Sequence, residues 1–199
     1  MKPPRKFVIS DLHLGHANII KHSGALRGGT TSEEHDQWII DQWNSVVTKQ
    51  DLVYVLGDVA MNRDALKLVK KLKGSKHLCK GNHDIESLNA YQEYFATIYG
   101  IHNYRRVFWM THAPVHPGSL RGMFNLHGHT HQNKVMLDNE PDLRYINVCV
   151  ESSYGVPQDL DVLFEQYKYK VWNDRKGRGY ENSENKSRGY LDSVNSDEG

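Results

Sequence analysis

Four short polar motifs in the sequence combine carboxylate, amide and imidazole groups, which are the side chains that bind divalent metal ions. They are Asp11-Leu12-His13, Gly57-Asp58, Gly81-Asn82-His83-Asp84 and Gly128-His129-Thr130-His131. If its segment is extended, the first motif points its carboxylate and imidazole the same way, so both can bind one ion. A donor set of nitrogen and oxygen without thiolates suits Mn, Fe, Ni, Co or Zn. The motifs together predict a metal site, although D-x-H or G-D alone is common by chance.

Short apolar runs precede these motifs and are typical of buried strands. The runs cover residues 7–10, 51–56, 76–80 and 123–126, and residues 107–110 form another run that leads into Thr111-His112. Loops at the carboxyl ends of strands in an α/β sheet gather ligands in a common crevice. We therefore expect polar residues that are far apart in the sequence to meet at one edge of the fold.

Helical patterns alternate with the strands. Thr31 and Glu34 have the spacing of a capping box, and the apolar residues that follow recur at helical period and predict a face that packs on the core. Further helices are predicted over 62–72, over 85–99 and from 157 to 166, and a further strand over 145–150. Strands that alternate with helices predict the α/β class.

Length and composition predict one domain over 1–172, followed by a flexible polar tail over 173–199 that is rich in Gly, Asn, Ser, Lys and Glu. The net charge is +1, from 25 Lys+Arg and 24 Asp+Glu. The chain thus lacks the excess of positive charge that is typical of proteins that bind a long nucleic-acid duplex or an anionic membrane. A balanced charge is compatible with a small phosphorylated ligand.

The sequence also predicts a cytoplasmic location. No segment approaches the ~20 apolar residues of a membrane span, and the first residues contain no apolar stretch typical of a signal peptide. Cys79 and Cys149 lie in apolar, strand-like contexts. We expect both to be small buried core residues rather than partners in a disulfide.

The order of the motifs resembles that of the calcineurin-like metallophosphoesterase superfamily, whose pattern is D-x-H, G-D, G-N-H-(D/E), a later His and G-H-x-H. Here the later His is His112, and the resemblance spans residues 7 to 150, with the character of a small stand-alone prokaryotic or phage-type member. It implies a four-layer α-β-β-α sandwich with two mixed sheets. It also implies a phosphoesterase that uses two divalent metal ions, with Mn favoured, and a metal-bound hydroxide as nucleophile.

The resemblance assigns a role to each matched residue. The implied ligands are Asp11, His13 and His131 for one ion, and Asn82, His112 and His129 for the other. Asp58 is implied to bridge the two ions. His83 is the implied general acid that protonates the leaving oxygen, and Asp84 is the residue implied to orient it.

The sequence departs from the pattern of the protein Ser/Thr phosphatase branch. Met61 stands where that branch carries a second Asp, and its G-N-H-E is G-N-H-D here. His112 follows a Thr rather than the usual Gly. These differences argue against a phosphoprotein phosphatase, and they leave His83 without that branch's usual carboxylate partner.

Other polar residues have weaker claims. His116 and Arg121 lie in a loop that could overhang the metals, so we predict that they bind substrate, Arg121 through a bidentate contact with phosphate. His16 and His127 could hydrogen-bond to the ligands or serve only in packing. Arg27 could reach the site or lie in a solvated loop.

The expected activity is hydrolysis of a small phosphate ester, a phosphomonoester or a phosphodiester of nucleotide type. Two alternatives remain at this point. One is a nuclease that acts on single-stranded nucleic acid, which the near-neutral charge disfavours because such channels are usually basic. The other is a metal-binding scaffold without catalysis, which we expect to lack part of the site. The oligomeric state is left open.

Overall fold

The computed structural model describes residues 3–170 and alternates strands with helices, as predicted. In chain order the elements are β1 (Lys6–Ile9), α1 (Ile19–Ser23), α2 (Ser32–Val46), β2 (Leu52–Val55), α3 (Arg63–Leu66), β3 (Ser75–Cys79), α4 (Leu88–Gln92), β4 (Thr97–Tyr99), β5 (His102–Tyr104), β6 (Phe108–Thr111), β7 (Phe124–His127), β8 (Met136–Leu137), β9 (Glu140–Pro141), β10 (Tyr145–Asn147), α5 (Val150–Ser153), β11 (Gln158–Asp159) and α6 (160–170). Short 3-10 helices cover Gly24–Leu26, Lys67–Lys71 and Pro117–Ser119. The tail predicted over 173–199 lies outside the described residues.

Two mixed sheets form the centre of the fold. The first has the order β11-β1-β2-β3-β4, in which β1 to β4 are parallel and β11 is antiparallel to β1. The second has the order β10-β7-β6-β5, in which only β5 runs antiparallel to its neighbour. Strands β8 and β9 form a separate hairpin. The predicted fold, with its two mixed sheets and flanking helices, is confirmed.

Alternate side chains of the strands supply two apolar clusters. On β1, Ile9 packs in one cluster with Trp43 of α2, while its neighbour Val8 packs in the other with Met110 and Leu126 of the second sheet. The first cluster lies between the first sheet and helices α2 to α4, and the second lies between the two sheets. This alternation, with both faces covered, is typical of parallel strands.

The predicted start of α2 is confirmed. Thr31 Oγ1 accepts a hydrogen bond from the Glu34 amide at 3.2 Å, which satisfies one free N–H of the first turn. In a capping box the Glu34 carboxylate would accept from the amide of Thr31. Here it accepts from the amide of the preceding residue, Thr30, at 2.8 Å. The loop before α2 is therefore tied to the helix from both sides.

Several predicted elements differ in extent or in helix type from the observed ones. The helix predicted over 85–99 is only α4, because the chain then has to enter β4, where Thr97 pairs with His77 of β3. The helix predicted over 62–72 continues after α3 as a 3-10 helix. The strand predicted over 145–150 ends at Asn147, and β11 precedes the helix predicted from 157.

The carboxyl ends of the parallel strands in both sheets meet at one edge of the sandwich. The Ser10 amide, after β1, donates to the carbonyl of Val148, after β10, at 2.9 Å. Within the second sheet, the Gly128 amide donates to the carbonyl of His112 at 2.8 Å. The loops that carry the polar motifs are thus held together by backbone hydrogen bonds.

Cys79 and Cys149 are both buried and free, as predicted. No helix within residues 3–170 is long and apolar enough to cross a membrane.

Candidate metal centre

Five of the predicted ligands lie in left-handed backbone conformations, which are uncommon for residues other than glycine. Their φ values are 61° for Asp11, 50° for His13, 54° for Asp58, 68° for His129 and 51° for His131. Such conformations cost free energy and cluster at functional sites, where the surrounding structure maintains them. The loops after β1, β2 and β7 therefore adopt unfavourable backbone conformations where they carry the predicted ligands, as is typical of a functional site.

The first motif is not extended, since Asp11 and His13 both have positive φ. The side chain of Leu12 is fully buried, and the amides of Asp11 and His13 donate to the carbonyls of Gly57 and Asp58 at 3.0 Å each. These contacts turn the backbone while they keep the carboxylate and the imidazole on the same side. The expected convergence occurs, but through a tight loop pinned to its neighbour.

The first set of ligand atoms comes from Asp11, His13 and His131, all within 4.8 Å of one another. Asp11 Oδ1 lies 3.5 Å from His13 Nε2 and 4.0 Å from His131 Nε2. The structure thus brings together the three residues that the resemblance assigns to one ion, two from the first sheet and one from the second.

The second set comes from Asp58, His112 and His129, whose ligand atoms also lie within 4.8 Å of one another. Asn82 joins it, because its Oδ1 lies 2.8 Å from His112 Nε2, and His129 Nδ1 lies 3.2 Å from that same nitrogen. Three potential donor atoms therefore converge on one point, as the resemblance implies for the other ion.

Asp58 lies between the two sets. Its Oδ2 is 3.7 Å from His13 Nε2 in the first set and 3.4 Å from His112 Nε2 in the second. Its Oδ1 accepts a hydrogen bond from the His83 amide at 2.9 Å, which fixes the rotation of the carboxylate. This is the position that a bridging carboxylate requires.

Hydrogen bonds to the far ring nitrogens orient two of the histidines. His112 Nδ1 lies 2.8 Å from the Leu56 carbonyl, and His131 Nδ1 lies 2.9 Å from Glu151 Oε1. In each ring the Nδ1–H is the donor, which leaves Nε2 with a free lone pair. Partners of this kind orient metal-binding histidines and raise their basicity.

The donor atoms fit a metal. Among the described residues, Asp11 Oδ1 and both ring nitrogens of His13 are buried without a hydrogen-bond partner. Burying such groups unpaired costs free energy, and a divalent cation would satisfy Asp11 Oδ1 and the His13 Nε2 that faces it. The other oxygen, Asp11 Oδ2, accepts from the His129 amide at 2.9 Å and from the Cys149 thiol at 3.2 Å. Asp11 thus has one oxygen, Oδ1, left for a metal ion.

Burial and neighbours shift the pKa values of this set. Burial opposes the charged form of Asp11, but the neighbouring His13 ring and the hydrogen bond from the His129 amide hold its pKa well below the usual range. Desolvation lowers the pKa of His13. Both shifts favour the protonation states that bind a cation, a carboxylate and a neutral imidazole.

Asp84 is buried behind the second set. Its Oδ2 accepts from the amides of Asp58 at 2.9 Å and Gly81 at 2.8 Å, and its Oδ1 accepts from the Val59 amide at 2.9 Å. Burial raises its pKa. The described hydrogen bonds of Asp84 tie two motif loops together, and they reach backbone and Tyr91 rather than the His83 ring that it was predicted to orient.

The model of the calcineurin-like phosphoesterase family matches residues 5–189. The chain belongs to this family. An uncharacterized protein of Methanocaldococcus jannaschii is 34% identical over 166 residues, which cover 79% of this chain and 88% of that protein. The gene 66 protein of Mycobacterium phage L5 is 36% identical over 80 residues, 38% of this chain and 37% of that protein. The crystal structure of an Aquifex aeolicus protein of unknown function superposes with a TM-score of 0.64 at 25% identity, covering 82% of this chain and 99% of that chain.

The predicted family is confirmed, and with it the predicted enzyme class, a phosphoric ester hydrolase. Calcineurin-like phosphoesterases are metal-dependent, and the structure provides two clusters of side chains that could hold a metal ion.

A cleft of about 520 Å³ opens over the first ligand set of this phosphoesterase. His83 is exposed at the cleft, with its ring centroid 5.5 Å from that of His13. His16 lines the same cleft, and its Nδ1 accepts a hydrogen bond from the Asn18 amide at 3.1 Å. His127 is buried beside Tyr145, with Nδ1 2.8 Å from the Gly128 carbonyl, which suits packing.

The structure does not bring the two predicted substrate-binding residues to this cleft. Arg121 lines a different cavity, of about 360 Å³, with Trp109 and Ile101. His116 is exposed and caps a 3-10 helix by accepting from the Gly118 amide at 3.1 Å. Their loop does follow His112, but neither side chain is among those that line the cleft.

Sequence reasoning missed Glu151 and left Arg27 undecided. Both side chains are buried, and they form an ion pair beside the first ligand set. The Gly28-Gly29 pair next to Arg27 was the available sequence signal that this segment packs closely. In the structure, a Cβ at Gly28 would collide with the Trp38 ring that packs there. Glu151 carried no local signal. His35, which sequence reasoning did not connect with the site, is fully buried, and its Nε2 lies 3.2 Å from Arg27 Nη1.

Proposed function

We propose that the protein is a dinuclear metal-dependent phosphoesterase that hydrolyses a small, nucleotide-type phosphate ester. The observation that carries the proposal is the position of Asp58, whose Oδ2 lies within 3.7 Å of His13 Nε2 and 3.4 Å of His112 Nε2. A carboxylate shared by two nitrogen-rich ligand sets suits two ions about 3.5–4 Å apart. Mixed nitrogen and oxygen donors suit Mn, Fe, Ni, Co or Zn, and among these the family resemblance favours Mn²⁺. The free thiols support a cytoplasmic location.

The residues of the chain have separate tasks in this proposal. Asp11, His13 and His131 would hold one ion, Asn82, His112 and His129 the other, and Asp58 both. When bound, such ions supply Lewis acidity at the phosphate and a water that is activated near neutral pH. The protein contributes a fixed ligand geometry, because the rings and carboxylates are oriented by the hydrogen bonds described above.

His83 would donate a proton to the leaving oxygen. Its ring is exposed at the cleft, and its amide is anchored to Asp58 Oδ1 at 2.9 Å. Asp84 would position His83 indirectly, through the backbone. It accepts hydrogen bonds from the amides of Asp58 and Gly81, and the Asp58 carboxylate in turn accepts from the His83 amide. A general acid placed beside the reacting group accelerates cleavage most when the leaving group is a poor one.

The lining of the cleft supports a small substrate. Among the described residues that line it are the amides Asn18, Gln132 and Asn133 and several histidines, with no Lys or Arg. Amides can hydrogen-bond to the hydroxyl groups or base of a nucleotide, whereas channels that track long single strands are usually basic. These features support a nucleotide-type ester over a polynucleotide.

The test is reconstitution of chelator-stripped protein with Mn²⁺, Ni²⁺, Co²⁺ or Zn²⁺, followed by assays on aryl phosphate mono- and diesters, cyclic nucleotides and single-stranded DNA. We expect two ions per chain and turnover of the small esters. Asp58→Asn keeps an acceptor for the His83 amide but loses the shared charge, so it should lose metal and activity together. Asp51→Asn is the matched control, because Asp51 is a buried, Arg-paired carboxylate at the opposite end of β2.

Each alternative has its own outcome. Two bound ions without turnover of any substrate would contradict the enzymatic proposal and favour a metal-binding scaffold. Preferential degradation of single-stranded DNA would contradict the small-ester proposal and favour a nuclease. Uptake of a single ion by wild-type protein would overturn the dinuclear site.

A further inference from the structure

A buried ion pair lies directly behind the first ligand set. Arg27 Nε donates to Glu151 Oε1 at 2.8 Å, and the exposed fractions of the two side chains are 0% and 1%. Removing two charges from water is costly, and a buried pair is often no more stabilising than apolar residues of the same volume. Stability alone is therefore a weak explanation for this pair, and its other contacts matter.

Arg27 holds the backbone of the first motif. Its Nη2 donates to the Asp11 carbonyl at 2.8 Å, and its Nη1 donates to the Leu12 carbonyl at 3.3 Å. The guanidinium presents its donors in a rigid planar fork, so one side chain fixes two successive carbonyls. The residue so fixed, Asp11, has the unfavourable φ of 61°.

Glu151 holds the ring of His131, a ligand from the second sheet. The same Oε1 that accepts from Arg27 lies 2.9 Å from His131 Nδ1. Burial alone would raise the pKa of Glu151, but His131 and Arg27 lower it to about 2. The hydrogen bond to Glu151 in turn raises the pKa of His131.

The pair thus joins two ligands that come from opposite sheets. Arg27 follows the 3-10 helix Gly24–Leu26, and Glu151 lies in the first turn of α5, after β10. One end of the pair fixes Asp11 and the other fixes His131. In the second ligand set, the ring of His112 is oriented by a backbone carbonyl, that of Leu56. The two sets are therefore supported by different means.

We propose that Arg27 and Glu151 are positioning residues that set the affinity of the first ligand set for its ion and leave that of the second set unchanged. The inference rests on the two-ion site of the proposed function. Partners that orient ligands in this way typically change metal affinity about 10–100-fold. Removing the pair should therefore weaken one ion selectively, whereas a purely structural pair would affect both ions equally or neither.

The test uses Mn²⁺ titrations of the full chain, with metal content measured per chain and the Mn²⁺ EPR spectrum recorded at each step. Two variants are needed, because Glu151→Gln alone leaves the Arg27 charge buried and unpaired. The double variant R27M/E151M removes both charges and keeps apolar volume. Asp51→Asn is the matched control, since it also breaks an ion pair with an Arg, Arg5, but at the far end of the sheet.

We expect both variants to bind one ion about 10–100-fold more weakly than wild type, with the other ion unchanged. The EPR spectrum should then change from that of a coupled pair to that of an isolated ion at intermediate Mn²⁺, and the control should behave as wild type. Wild-type affinity for both ions in the two variants would overturn the inference, as would equal weakening of both ions. Wild-type protein that takes up fewer than two ions would instead refute the proposed function.

Discussion

Gly128 lies directly against the carboxylate of Asp11. A Cβ at position 128 would overlap Asp11 Oδ2 and the side chain of Ser10, which itself donates to the Leu56 carbonyl at 2.5 Å. The glycine of the last motif is thus required by the close approach of three loops. Because Gly128 directly precedes His129, whose amide donates to Asp11 Oδ2, an added Cβ at position 128 would displace His129 as well as Asp11.

Gly128→Ala should therefore lower kcat/KM at least about 100-fold, since a displacement of about 1 Å at a catalytic group has an effect of this size. The added methyl should also lower the free energy of unfolding by about 1–3 kcal/mol, as overpacking does. Steady-state kinetics with saturating metal and urea unfolding measure the two effects.

Gly100→Ala is the matched control for this substitution. A Cβ at Gly100 would meet no heavy atom within 4 Å, so activity should stay at the wild-type level and stability within about 1 kcal/mol of it. Wild-type activity in Gly128→Ala would show that the Asp11 carboxylate does not need its observed position.

Replacement of His83 should separate substrates by their leaving groups. His83→Asn should slow cleavage of an alkyl ester about 10²–10⁴-fold, the usual contribution of a general acid, and change the p-nitrophenyl ester little. Because the side chain is exposed, stability should stay within about 0.5 kcal/mol. Turnover of both esters is compared at equal metal content.

His22→Ala is the control for His83, since His22 is also an exposed histidine that lines the cleft. It should leave the ratio of the two rates unchanged. If His83→Asn slows both esters equally, His83 does not protonate the leaving oxygen.

The lowered pKa of Asp51 leads us to expect that stability depends on pH through a group outside the metal site. Burial alone would raise its pKa, but hydrogen bonds from Arg5 and Thr48 lower it from 3.8 to about 2. A carboxyl group with a lowered folded-state pKa stabilises the fold above its unfolded pKa and loses that contribution as the pH falls. With half of Arg5 exposed, we expect a contribution of about 1 kcal/mol.

The difference in unfolding free energy between wild type and Asp51→Asn, measured by urea in metal-free protein, should be constant from pH 7 to pH 5. It should fall to roughly half by pH 3, because this pH lies between the two pKa values. A difference that does not change between pH 7 and pH 3 would contradict the lowered pKa.

The sequence predicted the strands and their polar ends well, because both depend on short-range patterns. An apolar run followed by a turn of glycine and a polar residue, as at Gly57-Asp58, specifies a buried strand and its exit. The convergence of Asp11 and His131 follows from the parallel arrangement of strands. The family pattern added the pairing of ligands into two sets.

Features that depend on contacts distant in sequence could not be predicted. The helix expected over 85–99 is cut short because residues 97–99 pair with β3, a contact that outweighs helical periodicity. Glu151 is 124 residues from Arg27, so no local pattern marks it. The left-handed loop at Asp11 likewise depends on carbonyls of the neighbouring strand.

Neither ligand set belongs to a single sheet. The first sheet provides Asp11, His13, Asp58 and Asn82, and the second provides His112, His129 and His131. If one sheet slid slightly over the other, the distances between the ligand atoms would therefore change in both sets at once. Two bound ions would consequently cross-link the two sheets at this edge of the sandwich. Without metal, the apolar layer between the sheets would be the main interaction that keeps them from sliding.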